Sequence, residues 1–537
     1  MSEEKKFSNK GLTFQLYLRG NEVRKNEVLR KMRFLKEKSL SKKLSNNTDV
    51  IEEALDFWIK NHSRETETAQ PASQLVINQD FVPLQPFSSV SKDDTNELMF
   101  LTTTSAINLL VAQSSHHQEL CNSTLQWENS TMHGHVAIAN LRCEHGHNIR
   151  WTSSPYMANA HFLVNYRVFH GYITSGMIPS KYERFSEGAN IGTMSQSYLD
   201  NLTKEFANII KSLKNESSEN AVELEIGMYP NLEEGITIMT DARHGCRKNA
   251  KDCDIVCIGE KTHQVLHSIH VTKRDDPCSQ RHETFGTRRM YDDFERQNVS
   301  IGTHVHDCNG AVNCLVRDTQ IFTDNQNDSW HACIALKKQI QNVASGPKYK
   351  HGQSWHAQLE DKPEAIRKFA YTAMKNCGEN AETLRYMLAN MTEHFQNNHQ
   401  NCFDQSRCRL DPNYEPSTIV VRNDVAIRLL NDTIKKSTIY KNAHNYTKAL
   451  STAYVESFNN TLNMFQDKRI YFQDIQYEMR TNLAVLYWNE NVDRAYTSLF
   501  ESEAPDIPFK HPKKVLTKPT YSFRENIWEK LIESVYT

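Results

Sequence analysis

The sequence lacks any run of about 18 consecutive apolar residues, the length a helix needs to cross a membrane, so we expect no membrane span. Its first residues, MSEEKKFSNK, lack the apolar stretch of a secretory signal, so we expect no signal peptide. A strong charge bias is also missing, because the formal net charge is −2 at pH 7. These absences favour a soluble intracellular protein, whose 12 cysteines are thiols or metal ligands rather than a disulfide framework.

What the chain does have is length and a moderate apolar content. Its 537 residues correspond to roughly three or four domains of about 150 residues. Apolar side chains make up 38% of it, enough for packed cores, while a mean hydropathy of −0.65 indicates extensive polar surface. We divide the chain into a basic helical arm (1–65), a linker rich in Gln, Ser, Thr and Pro (66–95), a module of Cys, His and helices (96–225), the first part of a catalytic core (226–340), a helical insertion (341–445), the last core helices (446–500) and a C-terminal tail (501–537).

The balanced net charge hides a basic N-terminal arm. Residues 19–43 contain ten Lys or Arg and three Glu, which gives a local charge of +7. A helix pattern, TDVIEEALDFWIKNH, follows, and Thr48 or Asp49 can cap it. This arm is either a DNA-contacting surface or an ordinary solvated pair of helices.

Three carboxylates follow predicted strands or lie on a predicted helix. An apolar, β-branched run that starts at Ile236 ends on Asp241, the run NVSIGTHVHD stops on Asp307, and the helical pattern STAYVESFNNTLNMF carries Glu456. Two further strands and a helix lie between the first two acids. Strand-strand-strand-helix-strand is the order of a ribonuclease-H-like sheet, which places Asp241 beside Asp307. We therefore predict an α/β fold with a ribonuclease-H-like mixed sheet, a large helical insertion and helical N-terminal regions.

Converging carboxylates of this kind predict a metal site. Hard oxygen ligands select Mg²⁺, with Mn²⁺ as the alternative. Two such ions, about 3.5 to 4 Å apart, activate an attacking hydroxyl and stabilise the leaving oxygen of a phosphodiester. Each acid alone is commonplace, so the prediction rests on the joint placement of Asp241, Asp307 and Glu456.

A fourth acid lies between the second and the third. The segment NDSWHACIALKKQI predicts a helix capped by Asn327 or Asp328, with His331 on its first turn. Asp328 and His331 are either a polar pair near the metal site or a helix cap with a semi-buried histidine.

Two groups combine the side-chain types that bind zinc. Structural zinc sites usually contain a C-x₂₋₄-C pair, and neither group has one. Each is therefore either a zinc site or a set of buried cysteines and loop histidines. The members are Cys121, Cys143, His145 and His147 in the first group, and His394, His399, Cys402 and Cys408 in the second.

Several motifs are shared with a known family. They are MTDARH around Asp241, DSWH from Asp328 to His331, CEHGHNIRWTSSP with NYRVFHGYITSG, and the long stretch from Glu456 to LAVLYWNENVDRAY. With these motifs, residues 120–500 resemble the transposases of the Kolobok superfamily, cut-and-paste DNA transposons with a DDE catalytic domain.

The resemblance implies a DNA transposase. Asp241, Asp307 and Glu456 would bind two Mg²⁺, and His331 would orient Asp328, a water or a phosphate. The partners would be double-stranded DNA and a second copy of the chain, because two transposon ends need two active sites. The insertion would hold the transposon end, and in a eukaryotic host the location would be the nucleus.

Two questions stay open at this stage. The residues after Asp307, CNGAVNCLVRD, lack the basic pair that the resemblance leads us to expect, so Asp318 and Asp324 are alternative second acids. The function has alternatives as well. The chain could be a domesticated, catalytically inactive DNA-binding protein derived from a transposase, or a ribonuclease-H-like nuclease unconnected with transposition.

Overall fold

The computed structural model describes residue 97 and residues 99–246, 249–500 and 513–537. The predicted basic arm (1–65) and linker (66–95) lie outside the described residues. None of the helices within the described ranges combines the length and apolar character that crossing a membrane requires.

The described residues form a mixed α/β protein. The strands are β1 (Gln126–His133), β2 (Val136–Arg142), β3 (Asn148–Thr152), β4 (Ile236–His244), β5 (Asp252–Gly259), β6 (Val265–Thr272), β7 (Ile301–His306), β8 (Asp324–Asn327), β9 (Tyr496–Phe500) and β10 (Lys513–Leu516). The helices are α1 (Thr104–Cys121), α2 (Leu163–Thr174), α3 (Pro179–Gly188), α4 (Gln196–Gly227), α5 (His282–Arg296), α6 (Gly310–Thr319), α7 (Ser329–Ala344), α8 (Pro363–Asn376), α9 (Ala381–Phe395), α10 (Arg407–Leu410), α11 (Asp424–Lys436), α12 (Thr438–Lys441), α13 (Ala453–Phe465), α14 (Asp474–Asn491) and α15 (Ser522–Tyr536).

A small antiparallel sheet, in the order β1-β2-β3, packs beside helix α1. Thr103 caps α1, because its hydroxyl accepts a hydrogen bond from the backbone N–H of Ala106. The indole of Trp151 on β3 donates to the carbonyl oxygen of Ala106 at 2.8 Å. Sheet and helix are therefore joined through the first turn of α1.

The central sheet has five strands in the order β6-β5-β4-β7-β8. Strand β4 pairs antiparallel with β5, β5 pairs antiparallel with β6, and β4 and β8 both run parallel to β7. The predicted neighbours, the first and fourth strands of the core, are thus adjacent, and Met239 pairs with Val305. The carboxyl ends of β4, β7 and β8 meet at one edge of the sheet.

The predicted end of β4 is wrong by three residues. Strand β4 continues past Asp241 to His244, because β5 supplies partners as far as the pair His244 and Cys253. Its pairing with β7, however, stops at Met239. Asp241 therefore lies just beyond the point where the two parallel strands separate. Strand β8 begins at Asp324.

The main hydrophobic core lies on one face of this sheet. Helix α14 is buried on every side, since the consecutive residues Leu483, Ala484 and Val485 are all fully buried. Helix α15 adds Phe523 and Ile527 to the same core, so the last helix of the predicted tail belongs to the body of the protein.

The helical segment between the sheet and α13 has a core of its own. Side chains from α7, α8, α9 and α11 form it, and they include Leu336, Ile366, Leu388 and Leu430, each less than 2% exposed. Because α7 contributes to this core, the helix that follows β8 is shared between the sheet and the insertion. The insertion thus folds around its own apolar centre and returns the chain to the sheet at α13.

Candidate metal centre

Two carboxylates meet where β4 and β7 separate. Asp307 directly follows the last residue of β7, and Asp241 lies two residues beyond the last β4 residue that pairs with β7. Burial raises the pKa of Asp307, and the negative charge of Asp241 raises it further. Asp328 and Glu456 act in the same direction, while His331 opposes them. The charges of the other four predicted site residues thus all act on Asp307.

Helix α13 packs against β4 and contacts Asp241 directly, whereas His331 lies between its Glu456 and Asp307. Glu456 lies on its first turn, and Asn459 lies one turn later on the same face, because residues three apart are neighbours on a helix. The Asn459 amide donates to Asp241 Oδ2 at 2.8 Å. The other oxygen of Asp241 accepts from the backbone N–H of Ala242, also at 2.8 Å.

The imidazole of His331 lies among three carboxylates. Its Nε2 is 3.1 Å from Glu456 Oε1, and its Nδ1 is 3.3 Å from Asp328 Oδ1 and 3.8 Å from Asp307 Oδ1. The side chain is 42% exposed, so it lines an accessible surface. His331 is thus the basic group that links the helix acid to the sheet acid.

Asp328 caps α7, as predicted, and also anchors α13. Its Oδ1 accepts from the backbone N–H of His331 at 2.6 Å. Its Oδ2 accepts from the backbone N–H and the hydroxyl of Thr452, both at 2.7 Å, and from the hydroxyl of Ser451 at 3.2 Å. Burial alone would raise the pKa of Asp328, but the hydrogen bonds from His331 and Thr452 lower it overall. The ionised carboxylate therefore fixes the start of the helix that carries Glu456.

A further acid, Glu283 on the first turn of α5, was not predicted from the sequence. Burial raises its pKa; a hydrogen bond from Asn309 opposes this effect, and the charges of Asp241 and Asp307 add to it. Asn309 Nδ2 donates to Glu283 Oε2 at 2.7 Å. Asn309 itself caps α6 and lies two residues after Asp307. Its position so close to a predicted site residue is the sequence feature that could have indicated Asn309, whereas no such feature marks Glu283.

Buried histidine contacts stiffen the sheet beneath the acids. The ring of His304 on β7 is fully buried. Its Nε2 lies 2.7 Å from the Thr240 hydroxyl on β4, and its Nδ1 lies 2.8 Å from the Tyr291 hydroxyl on α5. Burial keeps the pKa of His304 well below the usual value, so the ring is neutral and bridges two strands and a helix.

The ligand atoms of Asp307, Asp328 and His331 all lie within 4.8 Å of one another, which is close enough to surround a cation, whereas Asp241 and Glu456 lie outside this group. Asp241 is connected to α13 through Asn459, and Glu456 is connected to Asp307 through His331. Four of the five predicted site residues are carboxylates, so their negative charges repel one another. A bound divalent cation would relieve this repulsion.

The two alternative second acids lie away from this centre. Asp318 is eight residues into α6, about 12 Å along that helix, and it pairs with the neighbouring Arg317. Asp324 pairs in register with Thr303, three residues before the end of β7, or about 10 Å back along the strand. It forms an ion pair with Lys448 at 2.9 Å.

Both predicted groups of Cys and His come together in space. In the first, the atoms within 4.8 Å of one another belong to His117, Cys121, Cys143 and His147. His117 on α1, which the sequence did not single out, thus replaces the predicted His145 in this set. His117 lies one helical turn before Cys121, and this spacing is the sequence feature that could have indicated it. The Nδ1 of His145 is still 3.4 Å from Cys121 Sγ.

The second group contains the four predicted residues, His394, His399, Cys402 and Cys408, again within 4.8 Å. Histidine nitrogen and cysteine sulfur are zinc ligands, so both groups have the donors that a zinc ion requires.

No family model matches the chain, and no curated protein matches it.

Proposed function

We propose that this protein is a DDE-type DNA transposase with a ribonuclease-H-like core, which cleaves phosphodiester bonds at transposon ends and transfers the freed strand to target DNA. One observation carries the proposal. Asp241 and Asp307 project from two neighbouring parallel strands, and α13 reaches both, through Asn459 and through Glu456 with His331. Two strands and a helix thus each carry one of the three acids, in the order expected of such an enzyme, and Asn459 and His331 connect them.

Asp241, Asp307 and Glu456 would hold Mg²⁺, or Mn²⁺ in its place. A bound ion of this kind lowers the pKa of water and stabilises the charge on a leaving oxygen. Asp328 is buried, and both of its oxygens already accept hydrogen bonds, so its role is to position α13 and His331. His331 is exposed enough to accept a proton from, or donate a hydrogen bond to, a water or phosphate oxygen beside the acids.

The substrate would be double-stranded DNA, and a second copy of the chain would complete a complex with two ends and two active sites. Exposed basic residues of the insertion, such as Lys348 and Lys350, are suited to phosphate contacts. We propose a nuclear location, as expected for an enzyme of this class in a eukaryotic host. The basic tract of residues 38–43 that motivates an import signal lies outside the described residues.

The group of His117, Cys121, Cys143 and His147 is proposed to hold a structural Zn²⁺. His147 Nδ1 lies 3.2 Å from Cys121 Sγ, 3.5 Å from Cys143 Sγ and 3.4 Å from His117 Nε2. These separations suit four ligands around one ion. Such an ion would join the C-terminal end of α1 to the loop between β2 and β3.

A nicking assay tests the proposed enzyme without knowledge of its terminal repeat. The purified protein is incubated with supercoiled plasmid in Mn²⁺ or Mg²⁺, alongside Asp241→Asn and Glu456→Gln. Asp318→Asn is the matched control, because this acid lies outside the centre. We expect both site variants to lose at least about 100-fold in nicking rate, since a lost metal ligand removes several kcal/mol of charge stabilisation.

Two results would contradict the proposed transposase activity. Nicking that persists unchanged in both site variants would trace to a contaminant or to another site. Tight DNA binding by the wild type without any metal-dependent nicking would favour the inactive, domesticated DNA-binding protein.

A further inference from the structure

We propose that His394, His399, Cys402 and Cys408 form a structural Zn²⁺ site that fixes residues 396–411 against the end of helix α9. This inference stands on the insertion alone and does not depend on the proposed enzyme. His394 lies on the last turn of α9, His399 and Cys402 lie in the loop that follows, and Cys408 lies on the short helix α10.

The distances among these side chains fit the edges of a tetrahedron. With a Zn–N bond of about 2.05 Å and a Zn–S bond of about 2.3 Å, tetrahedral ligands are separated by about 3.4 Å for two nitrogens and about 3.5 Å for nitrogen and sulfur. The two histidine Nδ1 atoms are 3.2 Å apart. Cys402 Sγ lies 3.4 Å from His394 Nδ1 and 3.7 Å from His399 Nδ1. Cys408 Sγ lies 3.8 Å from His394 Nδ1.

Hydrogen bonds alone do not account for this packing. His394 Nδ1 has three close neighbours, the Nδ1 of His399 and the Sγ atoms of Cys402 and Cys408. A neutral imidazole nitrogen carries either one hydrogen or one lone pair, so it can satisfy one of these neighbours. A cation at the common centre satisfies all four groups, because each then directs a lone pair at it.

The donor set also selects the metal. Two imidazoles and two thiolates are the ligands of a closed, four-coordinate zinc site rather than of Mg²⁺ or Ca²⁺. On binding, the two thiol protons pass to solvent, and the two thiolates neutralise the charge of the ion. All four positions are filled by the protein, so the site is structural and leaves no place for a substrate.

The backbone hydrogen bonds of the loop that the ion would hold are mainly local. For example, the Cys402 N–H donates to the His399 carbonyl oxygen at 3.1 Å, and the Ser406 N–H donates to the Phe403 carbonyl oxygen at 2.8 Å. The Asn390 amide on α9 donates to Cys402 Sγ at 3.4 Å, which is a contact that a zinc-bound thiolate accepts. Zinc would thus join the loop to a helix of the insertion core.

Zinc content of the purified full-length protein tests the site. Cys402→Ser and Cys408→Ser are compared with Cys314→Ser, an exposed cysteine outside both groups, and metal is measured by mass spectrometry per mole of protein. We expect each of the first two variants to contain one zinc less than the wild type, while Cys314→Ser keeps the wild-type content. Equal zinc contents in all four proteins would overturn the proposal.

Thiol labelling of the wild-type protein keeps the test valid if these variants fail to fold. Cys408 is only partly buried, so in a metal-free site iodoacetamide reaches its sulfur. We expect Cys408 to resist labelling until a chelator removes the metal, whereas Cys314 is labelled under both conditions. Equal labelling of Cys408 with and without the chelator would refute the zinc site.

Discussion

The imidazole Nε2 of His331 lies 3.1 Å from the carboxylate Oε1 of Glu456. The two residues belong to α7 and α13, and the whole helical insertion separates them in the sequence. This contact closes the candidate metal centre, because it brings the helix that follows the insertion to the edge of the sheet that precedes it. The centre therefore combines residues from both sides of the insertion.

Removal of the imidazole should weaken catalysis more than it weakens folding. In His331→Ala, Glu456 loses its contact with the sheet acids, and we expect about a 10- to 100-fold lower nicking rate, as found when a residue that orients a metal ligand is lost. The partly exposed position predicts a small change in the free energy of unfolding, within about 0.5 kcal/mol. Nicking and urea denaturation measure the two effects, and an unchanged nicking rate would argue against a role for His331.

Asn459 should position Asp241. In Asn459→Ala, Asp241 Oδ2 loses the hydrogen bond that holds it to α13, and we expect nicking to fall by about 10- to 100-fold. Asn460→Ala is the matched control, because this neighbouring asparagine is exposed and should leave the rate within about twofold. Equal rates for the two variants would show that the Asn459 contact does not support the acid.

Asp328 should contribute to stability through its charge. In Asp328→Asn, either orientation of the amide places an N–H₂ group against the backbone N–H of His331 or of Thr452. A buried donor left without an acceptor costs about 1 to 3 kcal/mol in the free energy of unfolding. Asp424→Asn, which removes an exposed acid from the first turn of α11, should change the free energy by less than about 0.5 kcal/mol.

The pH dependence of that difference has a definite sign. The pKa of Asp328 is lower in the folded protein than in the unfolded chain. Its contribution to stability is therefore complete above the unfolded pKa of about 3.9 and is lost as the pH falls through the folded pKa. Urea denaturation should find a constant difference between wild type and Asp328→Asn from pH 5 to 7 and a smaller one below about pH 4. If the free energies of unfolding of the two proteins already differ little at pH 7, the claim that an ionised Asp328 anchors α13 would be wrong.

Local patterns were sufficient to predict the sheet. The β-branched runs before Asp241 and Asp307 form the expected neighbouring strands, because their residue types and order allow few arrangements. The cap of α7 by Asp328 also follows from local chemistry. The end of β4 could not be predicted from local chemistry, because its last residues are held by the pairing of His244 with Cys253 on another strand.

Contacts distant in the sequence account for the rest. Glu283 and Asn459 face the acids only because α5 and α13 pack on the sheet in a particular rotation, which no local pattern specifies. The burial of α14 on every side is likewise a result of tertiary packing. His117 could have been included from its helical spacing to Cys121, yet its approach to His147 depends on how α1 meets the small sheet.

A change of metal preference tests most directly whether these acids bind the catalytic ion. In Asp307→Cys, a thiolate replaces a carboxylate, and thiolates bind Mg²⁺ poorly but accept Mn²⁺ more readily, in line with its softer character. We expect Asp307→Cys to lose plasmid nicking in Mg²⁺ and to regain a measurable rate in Mn²⁺, while Asp318→Cys should nick like the wild type in both. Nicking by Asp307→Cys at the wild-type rate in Mg²⁺ would contradict a metal centre built on Asp307.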